Sequence, residues 1–222
     1  MSPVILFDFD GTIADSMDAA VTVANRLSAE LGTAAITPET IERWRQLPLL
    51  EVLNEANISL WQLPQLLRRV RQELRQEMVR VAPIPGMADA LKELQQAGFQ
   101  MGIVTSNSTD NVETFLRDRH LAHYFEIPCT EVSIFGKRRR LKRYLHRQGQ
   151  SPADVTYIGD EARDIQAARA NGIRAIAVTW GFSSRNILAD ADPDGLANHP
   201  SDLLSLVSAP LDALRIGARQ PN

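Results

Sequence analysis

An α/β fold, with a Rossmann-like parallel sheet flanked by helices on both faces, is what this sequence predicts. Short, wholly apolar runs recur along the chain and alternate with segments of helical spacing. Each of the principal runs ends in small, acidic or hydroxyl residues. A long stretch without strand character separates the first run from the second. Strands buried on both faces read as continuous apolar runs, which is the mark of parallel sheets. In such sheets ligands bind beyond the carboxyl ends of the strands.

The first strand is expected near residues 4–9, from the run Val4-Ile5-Leu6-Phe7. It leads directly into Asp8-Phe9-Asp10-Gly11-Thr12. Strand alternation places Asp8 and Asp10 on one side, where their charges repel unless a cation lies between them. Gly11 permits a sharp turn and a close approach of the backbone to a bound group. The pattern suits a site where a metal ion and a phosphate meet.

Further strands are predicted near 101–106, 127–129, 155–158 and 175–178, with helices near 87–98, 109–118, 138–148, 162–171 and 201–207. The second strand ends in Thr105-Ser106-Asn107, a hydroxyl and backbone N–H cluster that can hold phosphate oxygens without adding charge. Either Thr105 or Ser106 can supply that hydroxyl. After Gly136 comes Lys137, the first residue of a basic run that continues to Arg143. That run reads as a solvated helix face with one inward lysine. A nucleic-acid footprint is not expected, because the chain carries a formal charge of −3.

The strand Val155–Ile158 ends in Gly159-Asp160-Glu161-Ala162-Arg163-Asp164. Asp160 stands at the strand end, facing Asp8. Asp164 follows one helical turn later on the same face, where it can also cap a helix. Glu161 reads as a supporting partner or an alternative ligand.

Residues 16–82 contain helical patterns and no strand. The clearest is Leu63, Leu66, Leu67, Val70, Leu74 and Met78, an amphipathic stripe expected to pack within a small bundle. Asp15-Ser16 and Pro83-Ile84-Pro85-Gly86 then read as two linkers. The expected organisation is an α/β core of residues 1–15 and 83–210, a helical cap of residues 16–82 and a flexible tail over 211–222.

At 222 residues the chain can bury a sizeable core. One cysteine, Cys129, rules out an internal disulfide. No apolar stretch approaches membrane-spanning length and no secretory leader opens the chain, so a cytoplasmic protein without membrane partners is expected.

Together the motifs resemble those of the haloacid dehalogenase superfamily, most of whose members are phosphatases. The resemblance rests on Asp8-Phe9-Asp10-Gly11-Thr12, Ser106-Asn107, Gly136-Lys137 and Gly159-Asp160 through Asp164, in that order. It extends to Ile173–Gly181, and residues 17–82 match only in kind. The family places its hydroxyl just before the asparagine, which favours Ser106 over Thr105.

The resemblance implies Mg²⁺ on the carboxylates of Asp8 and Asp160 and the backbone carbonyl of Asp10. Asp8 is then the nucleophile and forms an aspartyl phosphate, while Asp10 is the general acid and base. Ser106 and Asn107 bind the phosphoryl group, Lys137 offsets its charge, and Asp164 orients Lys137 or a metal-bound water. Thr12 joins the phosphate-binding set and braces the loop carrying Asp10. An acid at position 10 points to phosphate chemistry and away from carbon–halogen cleavage.

Within the superfamily the helical insert and the fourth motif are most similar to the phosphoglycolate phosphatase group. A small phosphorylated metabolite is the implied substrate, with Arg43 or Arg45 reaching its carboxylate. A pyrophosphatase, a nucleotidase or a sugar-phosphate mutase uses the same core. A regulatory protein docking through the basic run is the alternative outside catalysis.

Overall fold

The computed structural model describes residues 3–131 and 136–210. The expected tail over 211–222 lies outside the described residues.

The six strands are β1 (Val4–Phe7), β2 (Gln100–Thr105), β3 (Ile127–Glu131), β4 (Val155–Gly159), β5 (Arg174–Val178) and β6 (Gly195–Ala197). They form one parallel sheet in the order β3-β2-β1-β4-β5-β6. The sequence reading finds all but β6, whose three residues are too short to carry a pattern.

Alternation along β1 explains why the sheet is covered on both sides. Ile5 and Phe7 enter one apolar cluster with Met101, Ile103 and Phe115, while Val4 and Leu6 enter another with Leu141, Tyr157 and Ile165. All four β1 side chains are buried. The helices supplying these layers include α5 (Met87–Gln96), α6 (Thr109–Asp118), α7 (Lys137–Gln148), α8 (Ala162–Arg169) and α10 (Leu203–Ser208). The short helix α9 (Arg185–Asp190) is not evident in the sequence, since it buries only Leu188.

β1 is shorter than expected, and the chain leaves the ladder after Phe7. The Asp8 amide still donates to the Ile158 carbonyl at 2.8 Å. The amides of Ile13 and Ala14 then fold back onto the Phe9 carbonyl at 2.9 and 3.0 Å, closing a tight loop. Gly11 has φ +72°, a conformation that side chains rarely adopt.

Between β1 and α5 lie α1 (Met17–Leu31), α2 (Pro38–Trp44), α3 (Leu49–Glu55) and α4 (Leu63–Glu77). The stripe on α4 packs as its spacing predicts: Leu74, with Leu66 and Val70 beside it, meets Val23 and Leu27 of α1. The two linkers run side by side. Asp15 donates to the Ala82 carbonyl and Ile84 to the Ile13 carbonyl, each at 2.9 Å. The chain segments entering α1 and leaving α4 are therefore joined in one narrow hydrogen-bonded ribbon.

Candidate active site

β1 lies between β2 and β4, where the strand order reverses direction, and the loops after these three strands share one end of the sheet. Asp8 follows β1, Ser106 and Asn107 follow β2, and Asp160 follows β4. The first residue of α7 is Lys137, and Asp164 lies in the first turn of α8.

The fold brings these residues together. The Lys137 ammonium bonds to Asp8 Oδ2 and reaches Asp164 Oδ1 at 2.6 Å. Asp8, Asp160 and Asp164 each present a carboxylate oxygen within 4.8 Å of the others. Asp8, Lys137, Asp160 and Asp164 are all at most 2% exposed. The rest of the basic run behaves as expected: Arg138, Arg139, Lys142 and Arg143 are exposed.

Asp10 is oriented from two directions. The Ser16 hydroxyl donates to its Oδ1 at 2.9 Å, and Asn107 Nδ2 donates to Oδ2 at 3.0 Å. Asn107 is itself fixed, because its Oδ1 accepts from the Ser108 amide at 2.8 Å and from Asn111 Nδ2 at 2.9 Å. The two hydroxyl candidates separate clearly. Thr105 Oγ1 turns inward and accepts from the Asn107 amide at 2.9 Å, whereas Ser106 lines the cavity beside Asp8 and Asp10.

Thr12 is fully buried, and its hydroxyl donates to Asp160 Oδ1 at 2.7 Å, so the side chain ties the loop after β1 to the fourth motif and is not among the residues lining the cavity beside Asp8. The Phe182 amide holds the other oxygen of Asp160 at 2.8 Å. Two glycines make room for this carboxylate. A Cβ on Gly11 or Gly181 would lie 2.4 or 2.3 Å from Asp160 Oδ2.

Asp164 caps α8 and also meets Lys137. Its Oδ2 accepts from the Glu161 amide at 3.3 Å in a capping box, leaving Oδ1 for Lys137. Glu161 Oε2 accepts from Arg163 Nε at 2.8 Å.

Burial dominates the electrostatics. It pushes the Asp8 carboxyl up to about 7, although Lys137 pulls in the opposite direction. Burial raises Asp10 as well, against the hydrogen bonds from Ser16 and Asn107. Asp160 is raised by burial and by its acidic neighbours Glu161, Asp8 and Asp164. For Asp164 burial is overcome by Lys137 and Arg163, which hold it low. So many buried acids around one lysine favour an additional cation. Their donors are hard carboxylate oxygens, which suits Mg²⁺ in kind.

These groups edge a cavity of about 170 Å³, walled by Asp8, Asp10, Ser106 and Asn107 from the core and by Leu67, Val70, Arg71 and Leu74 from α4. A larger, mostly apolar cavity of about 540 Å³ adjoins it between α1–α3 and α8. Arg45 lines the larger cavity, and Arg43 bonds to Glu55 at 3.0 Å. The arginines at the Asp8 cavity are instead Arg71 and Arg163. Sequence reasoning passed over Asn111 and Phe182, and it set Arg71 with the other arginines on faces away from the apolar stripe, whereas Arg71 lines this cavity beside Leu67, Val70 and Leu74. Arg71 left one signal, since it lies four residues after Leu67 and three before Leu74, spacings that share a helix face.

A parallel sheet carrying these acids, lysine and hydroxyl at one end defines a class. The sequence pattern of the haloacid dehalogenase-like hydrolases matches residues 5–178, and the chain belongs to that family. Among its relatives is a phosphoglycolate phosphatase of Synechococcus elongatus, 40% identical over 204 residues, covering 92% of this chain and 96% of that protein. A phosphoglycolate phosphatase of Aliivibrio fischeri is 24% identical over 92% of this chain and 96% of its own length. A haloacid dehalogenase-like hydrolase of Streptococcus pneumoniae has a similar structure, with a TM-score of 0.77, 25% identity and coverage of 93% of this chain and 99% of that one. A haloacid dehalogenase-like protein of Agrobacterium tumefaciens superposes with a TM-score of 0.72 at 26% identity, covering 94% and 98%. The chain is thus a phosphoric monoester hydrolase of phosphoglycolate phosphatase-like character.

Proposed function

We propose that this chain is a Mg²⁺-dependent phosphatase that hydrolyses a small phosphomonoester, of the size and charge of 2-phosphoglycolate, through an aspartyl phosphate on Asp8. The observation that carries this reading is the buried Lys137 paired with both Asp8 and Asp164, beside an Asp10 held separately by Asn107 and Ser16. One carboxylate sits next to a cation that favours its ionised form. The other is partly buried and is held by hydrogen bonds from Ser16 and Asn107. Two acids in such different settings take different parts.

In the first step an oxygen of Asp8 attacks phosphorus in line, and the bond from phosphorus to the substrate alcohol oxygen breaks. Asp10, whose carboxyl is raised by burial, gives its proton to that leaving oxygen. Asp10 then takes a proton from water as the water oxygen attacks phosphorus. The bond to Asp8 breaks, releasing inorganic phosphate and the Asp8 carboxylate. Ser106 and the Asn107 loop face the phosphoryl oxygens, and Lys137 offsets charge as it builds on them. Asp8, Asp160 and the Asp10 carbonyl would hold the Mg²⁺, which when bound offsets phosphate charge. Asp164 keeps Lys137 in place.

The insert of residues 16–82 serves as a cap in this reading. It closes the cavity with Leu67, Val70 and Leu74 and excludes water from an acyl phosphate. Its two linkers, paired as one ribbon, suit rocking of the cap as a unit.

Phosphate release from 2-phosphoglycolate, nucleoside monophosphates and pyrophosphate tests the proposal, each assayed with Mg²⁺ and with chelator. Mg²⁺-dependent release that is fastest from 2-phosphoglycolate is expected. Fastest release from nucleotides or pyrophosphate would overturn the substrate class, and metal-independent release would overturn the mechanism.

A further inference from the structure

The phosphate end of the cavity and its far wall differ in chemistry. Asp8, Asp10, Ser106 and Asn107 line one side, all from the core. The insert supplies Ala20, Leu67, Val70 and Leu74, and among the described lining residues its one charged group is Arg71. The leaving alcohol of a bound phosphomonoester faces this wall, because the phosphoryl group occupies the core side. A guanidinium set among aliphatic side chains presents a planar, weakly hydrated cation to whatever the alcohol carries. The complementary group is a carboxylate, which such a fork can bind through two parallel hydrogen bonds.

Arg71 is also set in register with the reacting end. Asn111 is buried and its Nδ2 donates to the Arg71 carbonyl at 3.1 Å and to Asn107 Oδ1 at 2.9 Å. Asn107 in turn donates to Asp10. The α4 backbone at Arg71 is therefore tied through two side chains to the carboxyl group that meets the leaving oxygen. The cavity between the two walls has a volume of about 170 Å³, so a short alcohol portion already brings its far end to the Arg71 wall.

We infer that Arg71 determines specificity, by receiving a carboxylate on the alcohol portion of a short phosphomonoester. The inference rests on the phosphatase reading above and adds which residue selects the substrate. Arg43 and Arg45, the arginines the sequence suggests for this part, are not among the residues lining the cavity.

The test compares 2-phosphoglycolate with ethyl phosphate, which lacks the carboxylate, as substrates of wild type, Arg71→Met, Arg71→Lys and Arg43→Met. For Arg71→Met, kcat/KM on 2-phosphoglycolate is expected to fall about 10- to 100-fold, chiefly through KM, with ethyl phosphate within about twofold of wild type. Arg71→Lys should recover part of the loss, and Arg43→Met should match wild type on both esters. Equal loss on both esters, or none on 2-phosphoglycolate, overturns the inference. Calorimetric binding of 2-phosphoglycolate to Asp8→Asn protein, with and without Arg71→Met, probes the same contact without turnover. Binding that is unchanged by Arg71→Met overturns the role of Arg71. Wild type that binds 2-phosphoglycolate through Arg71 but releases phosphate from neither ester overturns the phosphatase reading alone.

Discussion

The Thr12 hydroxyl donates to Asp160 Oδ1 at 2.7 Å, joining the loop after β1 to the loop after β4 across 148 residues of sequence. Both residues are fully buried. Thr12→Val keeps the shape and removes the donor, leaving a buried carboxylate oxygen short of a partner. Stability is expected to fall by about 1–3 kcal/mol in urea unfolding, with a loss of turnover as Asp160 reorients. A variant as stable and active as wild type would show that the bond contributes nothing.

Lys137 lies against Asp8 and Asp164 with all three side chains at most 3% exposed. Lys137→Met leaves two acids facing each other in a dry setting. At pH 8 the loss of stability should be about 3–5 kcal/mol, and at pH 5 smaller, because a protonated Asp8 no longer needs the cation. Denaturant melts at the two pH values check this, and a loss independent of pH would contradict it.

The raised Asp8 fixes the sign of a further pH effect. An acid shifted from 3.8 to about 7 binds more protons in the folded state than in the unfolded one. Its contribution to stability is complete below pH 3.8 and is lost as the pH climbs through about 7. Asp10 and Asp160 shift in the same direction, and Asp164 in the opposite one. A divalent cation binds the ionised carboxylates and restores what rising pH removes. Mg²⁺ should therefore raise the unfolding temperature more at pH 8 than at pH 5, as calorimetry can measure. Equal shifts at both pH values would mean that these acids do not hold the metal.

Gly181 has its backbone against Asp160, with room for hydrogen only. A Cβ there would meet Asp160 Oδ2 at 2.3 Å. Gly181→Ala should leave the circular dichroism spectrum unchanged and lower kcat about 100-fold by displacing that carboxylate. Unimpaired turnover would show that the position of Asp160 is not critical.

The motifs were legible because each is local: an apolar strand, then the polar residues its end must present. Asp8 and Asp160 were found this way, Lys137 and Asp164 at the helix starts beside them and Ser106 through the family resemblance, and the parallel sheet brings them together. Partnerships between motifs were not legible. Whether Thr12 faces a phosphate or Asp160, and whether Thr105 or Ser106 faces the cavity, depends on how the loops pack. Arg71 was hidden for a different reason. Periodicity assigns the arginines of α4 to faces away from the apolar stripe, but the stripe is shared between the bundle and the cavity, and Arg71 stands at the edge that meets the cavity. Strand β6 and helix α9 are short and bury little, and neither carries a pattern.

The covalent role of Asp8 is the centre of this account, and the most direct measurement is borohydride reduction of enzyme acid-quenched during turnover of 2-phosphoglycolate. Reduction turns an aspartyl phosphate into homoserine, which peptide mass spectrometry can place. Homoserine at position 8, absent without substrate, is the predicted result. Homoserine at position 10, 160 or 164, or steady turnover with no reduced residue, would contradict the account.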